Sequence, residues 1–210
     1  MSKGSPYDSK ITSVENLAQG NWIQTRKINY QDPTGKDRIW EMAVRTTRSK
    51  ATNVDAVAIV SILHHPKLTG KGKEIIVVKQ FRPPTEKVVL ELPAGLIDPN
   101  ETIATTAVRE MIEETGYHGT CTHESIPMFS DPGLTNANMV LAQVDIDLDD
   151  ERNQNVCPNL EDGEFIETVT LPVDGLLGEL VKLIETEGCS VDARLYHFAV
   201  GLEYAKTLST

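Results

Sequence analysis

Residues 95–117, GLIDPNETIATTAVREMIEETGY, constrain this chain more than any other stretch, because they combine regularly spaced carboxylates with a glycine near each end. The defined positions of the pattern are Gly95, Glu101, Arg109, Glu110, Glu113, Glu114, Gly116 and Tyr117. A chance match to so long a pattern is rare. The pattern therefore constrains both the local fold and the chemistry of this stretch.

The middle of this stretch is predicted to be a helix. Asp98 and Thr102 are alternative N-terminal caps, so we expect the helix to begin between them, and Gly116 predicts its C-terminal end. At the helical period the glutamates at 110, 113 and 114 share one face and the apolar residues share another. Those apolar residues are Ala104, Ala107, Val108, Met111 and Ile112. We expect one buried face and one anionic face.

The clustered glutamates indicate a cation site. Like charges at this spacing destabilise an isolated helix by about 0.2–0.5 kcal/mol per pair, and a bound divalent cation would remove that repulsion. Carboxylates without histidine or cysteine in the motif favour a hard ion such as Mg²⁺ or Mn²⁺. The three glutamates alone leave a second interpretation open, a solvated face of a glutamate-rich helix.

The stretch resembles the signature sequence of the Nudix hydrolases at every defined position, including Met111. The resemblance implies an α/β fold, an α/β/α sandwich with a mixed sheet, and hydrolysis of a nucleoside diphosphate linked to another group. It implies that Mg²⁺, with Mn²⁺ as a substitute, is held by Glu110 and Glu114, assisted by Glu113 and the Ala94 carbonyl. Arg109 is implied to orient a carboxylate during catalysis rather than to contact substrate.

Other elements follow from hydrophobic periodicity and turn residues. Residues 1–50 are predicted to form a small N-terminal antiparallel β appendage, and residues 51–210 the Nudix domain, with a turn at residues 69–72. Strands are predicted at Asn21–Gln31, Arg38–Thr46, Val54–Leu63, Glu74–Gln80, Lys87–Leu92, Thr120–Met128, Met139–Ile146 and Phe165–Leu171, with further helices at Asp174–Glu187 and Val191–Leu208.

Composition limits the environment and the partners. The net charge of −11 disfavours nucleic-acid binding, which depends on basic side chains. The chain has neither an apolar N-terminal region nor an apolar run of about 18 residues, so we expect no secretion signal, no membrane span and a cytoplasmic or also nuclear protein. Cys121, Cys157 and Cys189 are scattered, which predicts reduced thiols rather than disulfides or a zinc site.

Short sequences around the signature narrow the resemblance to enzymes that hydrolyse ADP-ribose or ADP-sugars to AMP and a sugar phosphate, such as ribose 5-phosphate. They are RPP at 82–84, ELPAGLID at 91–98, DPG at 131–133 and DGEF at 162–165. The last is preceded by Glu161 where GDGEF is commoner, a departure that retains Glu164. Within the resemblance, Glu164 is the general base, at the end of a loop (151–163) that we expect to be flexible. An ordinary loop glutamate is the alternative.

Substrate residues are also implied by the resemblance. Trp22 and Trp40, the only two tryptophans, would clamp adenine from two subunits of a homodimer, with Glu41 at the base edge. The alternative is that each ring packs on its own domain. The remaining implied substrate contacts are Arg45 and Arg82 at the diphosphate, Ala94 and Leu96 near the motif, Asp131 towards the ribose, and Glu164. For the two arginines, an exposed strand position is the alternative.

The sequence leaves two other functions open. The first is hydrolysis of another nucleoside diphosphate derivative, such as an oxidised nucleotide or a dinucleoside polyphosphate, although two tryptophans favour adenine. A non-catalytic ADP-ribose sensor is the second, because related folds can retain a binding pocket without catalysis. A sensor has no need to retain Glu110, Glu113, Glu114 and Glu164 together.

Overall fold

A computed structural model describes residues 4–67, 70 and 72–208. The strands are β1 Lys10–Gln19, β2 Ile23–Gln31, β3 Asp37–Arg45, β4 Ala56–His64, β5 Glu74–Arg82, β6 Lys87–Glu91, β7 Ala94–Leu96, β8 Thr120–Glu124, β9 Met128–Phe129, β10 Asn138–Asp147, β11 Ile166–Pro172 and β12 Ser190–Val191. The helices are α1 Ile103–Thr115, α2 Leu176–Glu187 and α3 Ala193–Leu208. The turn predicted at residues 69–72 lies partly outside the described residues.

The chain divides into two compact units. The N-terminal unit contains the described residues up to Asp55 together with residues 127–139, and the larger unit contains residues 56–126 and 140–208. The sequence-based division near residue 50 does not include the second segment of the N-terminal unit. That segment contains the DPG sequence. Asp131 therefore belongs to the N-terminal unit, whereas the sequence-based division includes it in residues 51–210.

The N-terminal unit is built on the antiparallel sheet β1-β2-β3. Strands β2 and β3 lie where alternation predicted them, joined by a hairpin in which Asp32 accepts hydrogen bonds from the Thr34 and Lys36 amides, at 2.9 and 3.2 Å. Strand β1 was not predicted. Every residue of β1 is exposed, so its sequence lacks the one-sided apolar alternation that identifies a strand packed on a core.

The larger unit is a mixed sheet covered on both faces. The strand order is β12-β6-β5-β4-β10-β8, with β11 beside β5 and β7 beside β4. Strand β12 is parallel to β6, and β5 is antiparallel to β6. Ile75 and Val77 pack with residues of α2 and α3, while Ile76 and Val78, which point the opposite way, are also buried. The predicted α/β sandwich with a mixed sheet is therefore confirmed.

Helix α1 begins and ends where the sequence predicted. The Thr102 side chain accepts from the Thr105 amide as the N-terminal cap. Gly116 ends the helix with φ of 77°, and its amide donates to the Ile112 carbonyl at 2.9 Å. The left-handed conformation at the end of a helix favours glycine over residues with a Cβ.

The buried face of α1 differs from the prediction. Ala107 and Met111 are buried as expected, but Glu114 is also buried, whereas Ala104, Val108 and Ile112 are only half-buried. These three residues line a cavity of about 720 Å³ beside the start of β8. The helix is therefore rotated so that part of its anionic face, rather than its whole apolar stripe, is directed into the protein.

Candidate active site

The first glycine of the motif allows a carboxylate to lie directly against the backbone. Gly95 is the middle residue of β7, which pairs with β4 through Val57. A Cβ added to Gly95 would lie 1.8 Å from Oε1 and 1.9 Å from Cδ of Glu110. Any other residue at position 95 would displace the Glu110 carboxylate, so a glycine there fits the role of Glu110 as a ligand.

Arg109 holds several carboxylates at once. Its Nε and Nη2 donate to the two carboxylate oxygens of Glu101, at 2.9 and 3.0 Å. Its Nη1 donates to Glu110 at 2.9 Å and to Glu113 at 2.7 Å. These contacts raise the pKa of the guanidinium and lower the pKa of Glu101. The bonds occupy Arg109 within the motif, which agrees with the predicted orienting role.

Glu114 is the most enclosed carboxylate of the motif. Its side chain accepts a hydrogen bond from the Ala94 amide at 3.1 Å, and only 6% of the residue is exposed. Burial raises the pKa of Glu114 to about 8, and the nearby charges of Glu110 and Glu164 add to that effect. Burial likewise raises the pKa of Glu110 to about 7, with contributions from Glu113 and Glu164, although Arg109 opposes the rise.

These carboxylates have the donor chemistry of a hard-metal site. A buried carboxylate with an elevated pKa gains when a cation replaces the proton. Within residues 4–67, 70 and 72–208, however, no three acidic, histidine or cysteine side chains already converge as ligands would. Arg109 holds Glu110 and Glu113, and the Ala94 amide holds Glu114. The residues fit a divalent ion in donor type and charge, and its binding would draw Glu110 and Glu113 away from Arg109.

The charge of Glu164 acts on this cluster, because it contributes to the raised pKa of both Glu110 and Glu114. Its carboxylate accepts from the Glu161 amide at 3.1 Å, and its own amide donates to the Glu161 carbonyl at 3.0 Å. The preceding loop, which we expected to be flexible, is anchored at Asn153, where the buried side-chain amide bonds to the carbonyls of His118 and Asp147.

Arg82 is held by an acidic residue that the sequence interpretation missed. Its Nε donates to both carboxylate oxygens of Glu91, at 2.9 and 3.1 Å, and its Nη2 also contacts Glu91. Glu91 ends strand β6 and is buried, whereas 42% of the Arg82 side chain is exposed. The available signal was an acidic residue directly after the apolar run Val88–Leu90. The pair leaves Arg82 oriented and still accessible to an anion.

The remaining predicted site residues are in different surroundings. The Leu96 carbonyl accepts from Arg109 Nη2 at 3.1 Å. In the N-terminal unit, Glu41 and Arg45 are exposed on β3, and Asp131 is exposed at the start of a turn. Trp22 is 73% exposed and Trp40 49% exposed. Both rings are accessible in the single chain, and Trp40 Nε1 donates to the Gly133 carbonyl of the same unit at 2.9 Å.

Two further observations concern the cysteines and the possibility of a membrane-spanning helix. Cys121, Cys157 and Cys189 are free thiols in the structure. Among the helices of the described segments, none combines the length and apolarity needed to cross a membrane.

Comparison with known proteins assigns the family. The NUDIX domain model matches residues 56–187, which include β4, the motif helix and the loop that contains Glu164. The chain belongs to the Nudix hydrolase family.

Curated relatives extend the similarity over nearly the whole chain. The ADP-ribose pyrophosphatase of Saccharomyces cerevisiae is 44% identical over 97% of this chain and 88% of its own length. The ADP-sugar pyrophosphatase of Mus musculus is 38% identical over 98% of this chain and 92% of its own. A crystal structure of an ADP compounds hydrolase matches with a TM-score of 0.63 and 18% identity, covering 97% of each chain, which supports the fold.

The elevated pKa values lead to a prediction about stability. Because Glu110 and Glu114 have folded-state pKa values of about 7 and 8, above the ordinary 4.5, the folded protein binds their protons more tightly than the unfolded chain does. Their contribution to stability is complete below about pH 4.5 and is lost as pH rises through about 8. We expect the melting temperature in EDTA to fall more steeply between pH 5 and pH 9 for wild type than for Glu114→Gln. Parallel curves of melting temperature against pH for the two proteins would contradict a raised pKa of Glu114 in the folded protein.

Proposed function

We propose that this protein is a Mg²⁺-dependent hydrolase that cleaves the diphosphate of ADP-ribose, or of a related ADP-sugar, to AMP and a sugar phosphate. One observation carries the proposal: half-buried Glu110 and buried Glu114 pack against Gly95 and Ala94 in a chain that matches an ADP-ribose pyrophosphatase over 97% of its length. The complete set of motif carboxylates favours an enzyme over a sensor.

The chemistry requires that negative charge be neutralised while water attacks phosphorus. When bound, Mg²⁺ would supply that neutralisation and lower the pKa of an attacking water. In the proposed mechanism Glu110 and Glu114 would hold the ion, with Glu113 and the Ala94 carbonyl as further ligands. Arg109 keeps the carboxylates in position before binding, and the Glu164 carboxylate accepts the proton from water.

Arg82 is the proposed diphosphate contact of the larger unit. A guanidinium has five N–H donors in a planar fork, so it can remain paired with a carboxylate and still donate to phosphate oxygens. Glu91 fixes the orientation of this fork in advance. Such preorganisation lowers the entropy cost of binding the substrate.

Adenine recognition is proposed to use both tryptophans, from different subunits. In one chain, Trp22 lies opposite Thr46, whose amide donates to the Trp22 carbonyl at 3.2 Å, while Trp40 lies opposite Ile28. Thr46 is six residues beyond Trp40, and a rise of about 3.3 Å per residue separates the two positions by about 20 Å. Two rings stacked on one base lie only about 7–8 Å apart, twice a carbon–carbon contact. The estimated backbone separation is more than twice the ring separation, and this supports a clamp formed by two chains.

The two-chain clamp predicts complementation between variants. Trp22→Ala and Trp40→Ala should each raise the KM for ADP-ribose, because base stacking on an aromatic ring contributes about 1–3 kcal/mol. After subunit exchange of equal amounts, about half of the dimers are mixed and have one complete site, so activity at low substrate should recover to about one quarter of wild type. A mixture no more active than its components, or a protein that sediments as a monomer, would contradict the clamp.

A substrate panel tests the specificity. ADP-ribose, ADP-glucose, GDP-mannose, an oxidised nucleoside triphosphate and a diadenosine polyphosphate are compared by kcat/KM in Mg²⁺. We expect the two ADP-sugars to be the best substrates. A preference for the oxidised nucleotide or the dinucleoside polyphosphate would assign the protein to another branch of the family.

A further inference from the structure

A buried ion pair connects two distant segments of the N-terminal unit. Asp55 is 1% exposed, and its carboxylate accepts from Arg48 Nε at 3.1 and 3.2 Å and from Nη2 at 2.7 Å. Arg48 Nη2 also donates to the Asn136 carbonyl. Both partners lie outside the Nudix signature, and none of the functional roles proposed above uses them.

The same carboxylate orders residues 136–138. The Asn138 amide donates to Asp55 Oδ2 at 2.9 Å, and the Asp55 amide donates in return to Asn138 Oδ1 at 3.0 Å. The Asn138 side-chain amide donates to the Asn53 carbonyl at 3.0 Å. Asn138 is itself buried. Reciprocal bonds between buried groups fix this connection in one geometry, because any unpaired member would be costly.

The other end of this segment lies on strand β3. Trp40 Nε1 donates to the Gly133 carbonyl at 2.9 Å, and the Ala43 amide donates to the Leu134 carbonyl at 2.9 Å. Gly133 and Leu134 belong to a turn that begins at Asp131. The Asp131 carbonyl accepts from the Leu134 and Thr135 amides at 3.1 and 3.0 Å. Residues 131–138, which we call the anchored segment, are thus bonded to β3 at one end and to Asp55 at the other.

Several of the residues assigned above to substrate binding lie in this segment or on the part of β3 that it contacts. Trp40 is held through its indole N–H, Asp131 begins the segment, and Glu41 and Arg45 lie on β3 beside the bonded Ala43. Because Asp55 is buried, it has no direct access to a ligand. Any effect of Asp55 on binding is therefore indirect, and its carboxylate bonds to the anchored segment at Asn138.

We propose that Asp55, together with Arg48, is a positioning residue for substrate recognition: it fixes the anchored segment against β3 and so sets the positions of Trp40 and Asp131. The proposal rests on the proposed function, in which those two residues bind the ADP-sugar. The hydrogen-bond partners of Asp55 all belong to the N-terminal unit, whereas the motif carboxylates belong to the larger unit. Loss of the anchor is therefore expected to affect KM rather than kcat.

The test compares Asp55→Asn with Asp32→Asn. Both replace an aspartate paired with an arginine in the N-terminal unit. Asp32, however, pairs with Arg38 in the β2–β3 hairpin, and among the described residues it has no bond to the anchored segment. We expect Asp55→Asn to raise the KM for ADP-ribose about 10-fold with kcat within about twofold, since small displacements of binding groups have large effects. Asp32→Asn should resemble wild type in both constants.

Hydrogen exchange supplies the structural readout. In Asp55→Asn the amides of Leu134, Thr135 and Asn138 should exchange faster, and ADP-ribose should protect them less than in wild type. If they exchange faster while KM is unchanged, or if kcat falls and KM does not rise, the positioning role is wrong. Should Asp55→Asn fail to fold, Arg48→Lys keeps the charge pair and removes the fork that reaches Asn136, and the same rise in KM is expected.

Failure of the proposed function is distinguishable from failure of this inference. If wild type hydrolyses ADP-ribose and Asp55→Asn has a wild-type KM, only the positioning role is overturned. If wild type binds ADP-ribose without cleaving it, the proposed enzyme activity is wrong. The positioning role is then still tested by comparing how far ADP-ribose protects the amides of the anchored segment from exchange in wild type and in Asp55→Asn. If wild type neither binds nor cleaves ADP-ribose, both are overturned.

Discussion

Glu114→Gln is expected to lose hydrolysis by about 100-fold or more while the protein remains folded and, without metal, becomes more stable. The buried Glu114 carboxylate has its pKa raised to about 8 by burial and by neighbouring carboxylates. A neutral amide of nearly the same shape removes that repulsion and also removes a ligand charge. Replacing a functional group that destabilises the fold commonly raises stability and lowers activity.

The measurement pairs kcat across a Mg²⁺ titration with the melting temperature in EDTA at pH 8. Glu185→Gln is the matched control, because Glu185 is exposed on α2 and undergoes the same chemical change. The control should retain wild-type turnover and a wild-type melting temperature. Near-normal turnover of Glu114→Gln at saturating Mg²⁺ would show that Glu114 is not an essential ligand.

Gly95→Ala is expected to abolish most activity at little cost in stability. The added methyl group would meet the Glu110 carboxylate at 1.8 Å, but that carboxylate is the end of a flexible side chain and can rotate away. Gly95 has no left-handed backbone conformation that alanine would strain. The fold therefore accommodates the change, whereas Glu110 loses its position as a ligand.

Gly116→Ala provides the contrast. Gly116 has a φ of 77°, and a Cβ there would lie 2.6–2.9 Å from the backbone of Cys157, which cannot move aside as a side chain can. A non-glycine residue in such a conformation costs about 1–3 kcal/mol before any clash is counted. We expect Gly116→Ala to unfold at a clearly lower temperature and Gly95→Ala to melt close to wild type. The opposite order would contradict the different roles of the two glycines.

Much of the fold was predictable because the signals are local. Capping residues and a terminal glycine located α1 between Thr102 and Gly116, and runs of β-branched residues located β4, β5 and β10 to within a few residues. The motif likewise identified Glu110 and Glu114, which the structure brings against Gly95 and Ala94. Position in the motif, rather than apolar periodicity, identified the glutamates that lie against β7.

What could not be predicted depends on tertiary contacts. Strand β1 has no buried face, so no apolar alternation marks it. The rotation of α1 that buries Glu114 depends on the Ala94 amide and on Gly95, which are distant in sequence from Glu114. The Asp55–Asn138 connection joins residues 83 positions apart, and neither residue belongs to a recognisable pattern. Glu91 was overlooked because its burial follows from pairing with Arg82, whereas an isolated glutamate is usually exposed.

Incubation of the purified protein with ADP-ribose, with and without Mg²⁺ and with Glu114→Gln alongside, tests the central claim most directly. The products are separated by chromatography and identified by mass. We expect AMP and ribose 5-phosphate in equal amounts, formed only with metal and only when Glu114 is intact. ADP-ribose that is bound but remains uncleaved by wild type in Mg²⁺ or Mn²⁺ would contradict the enzyme activity.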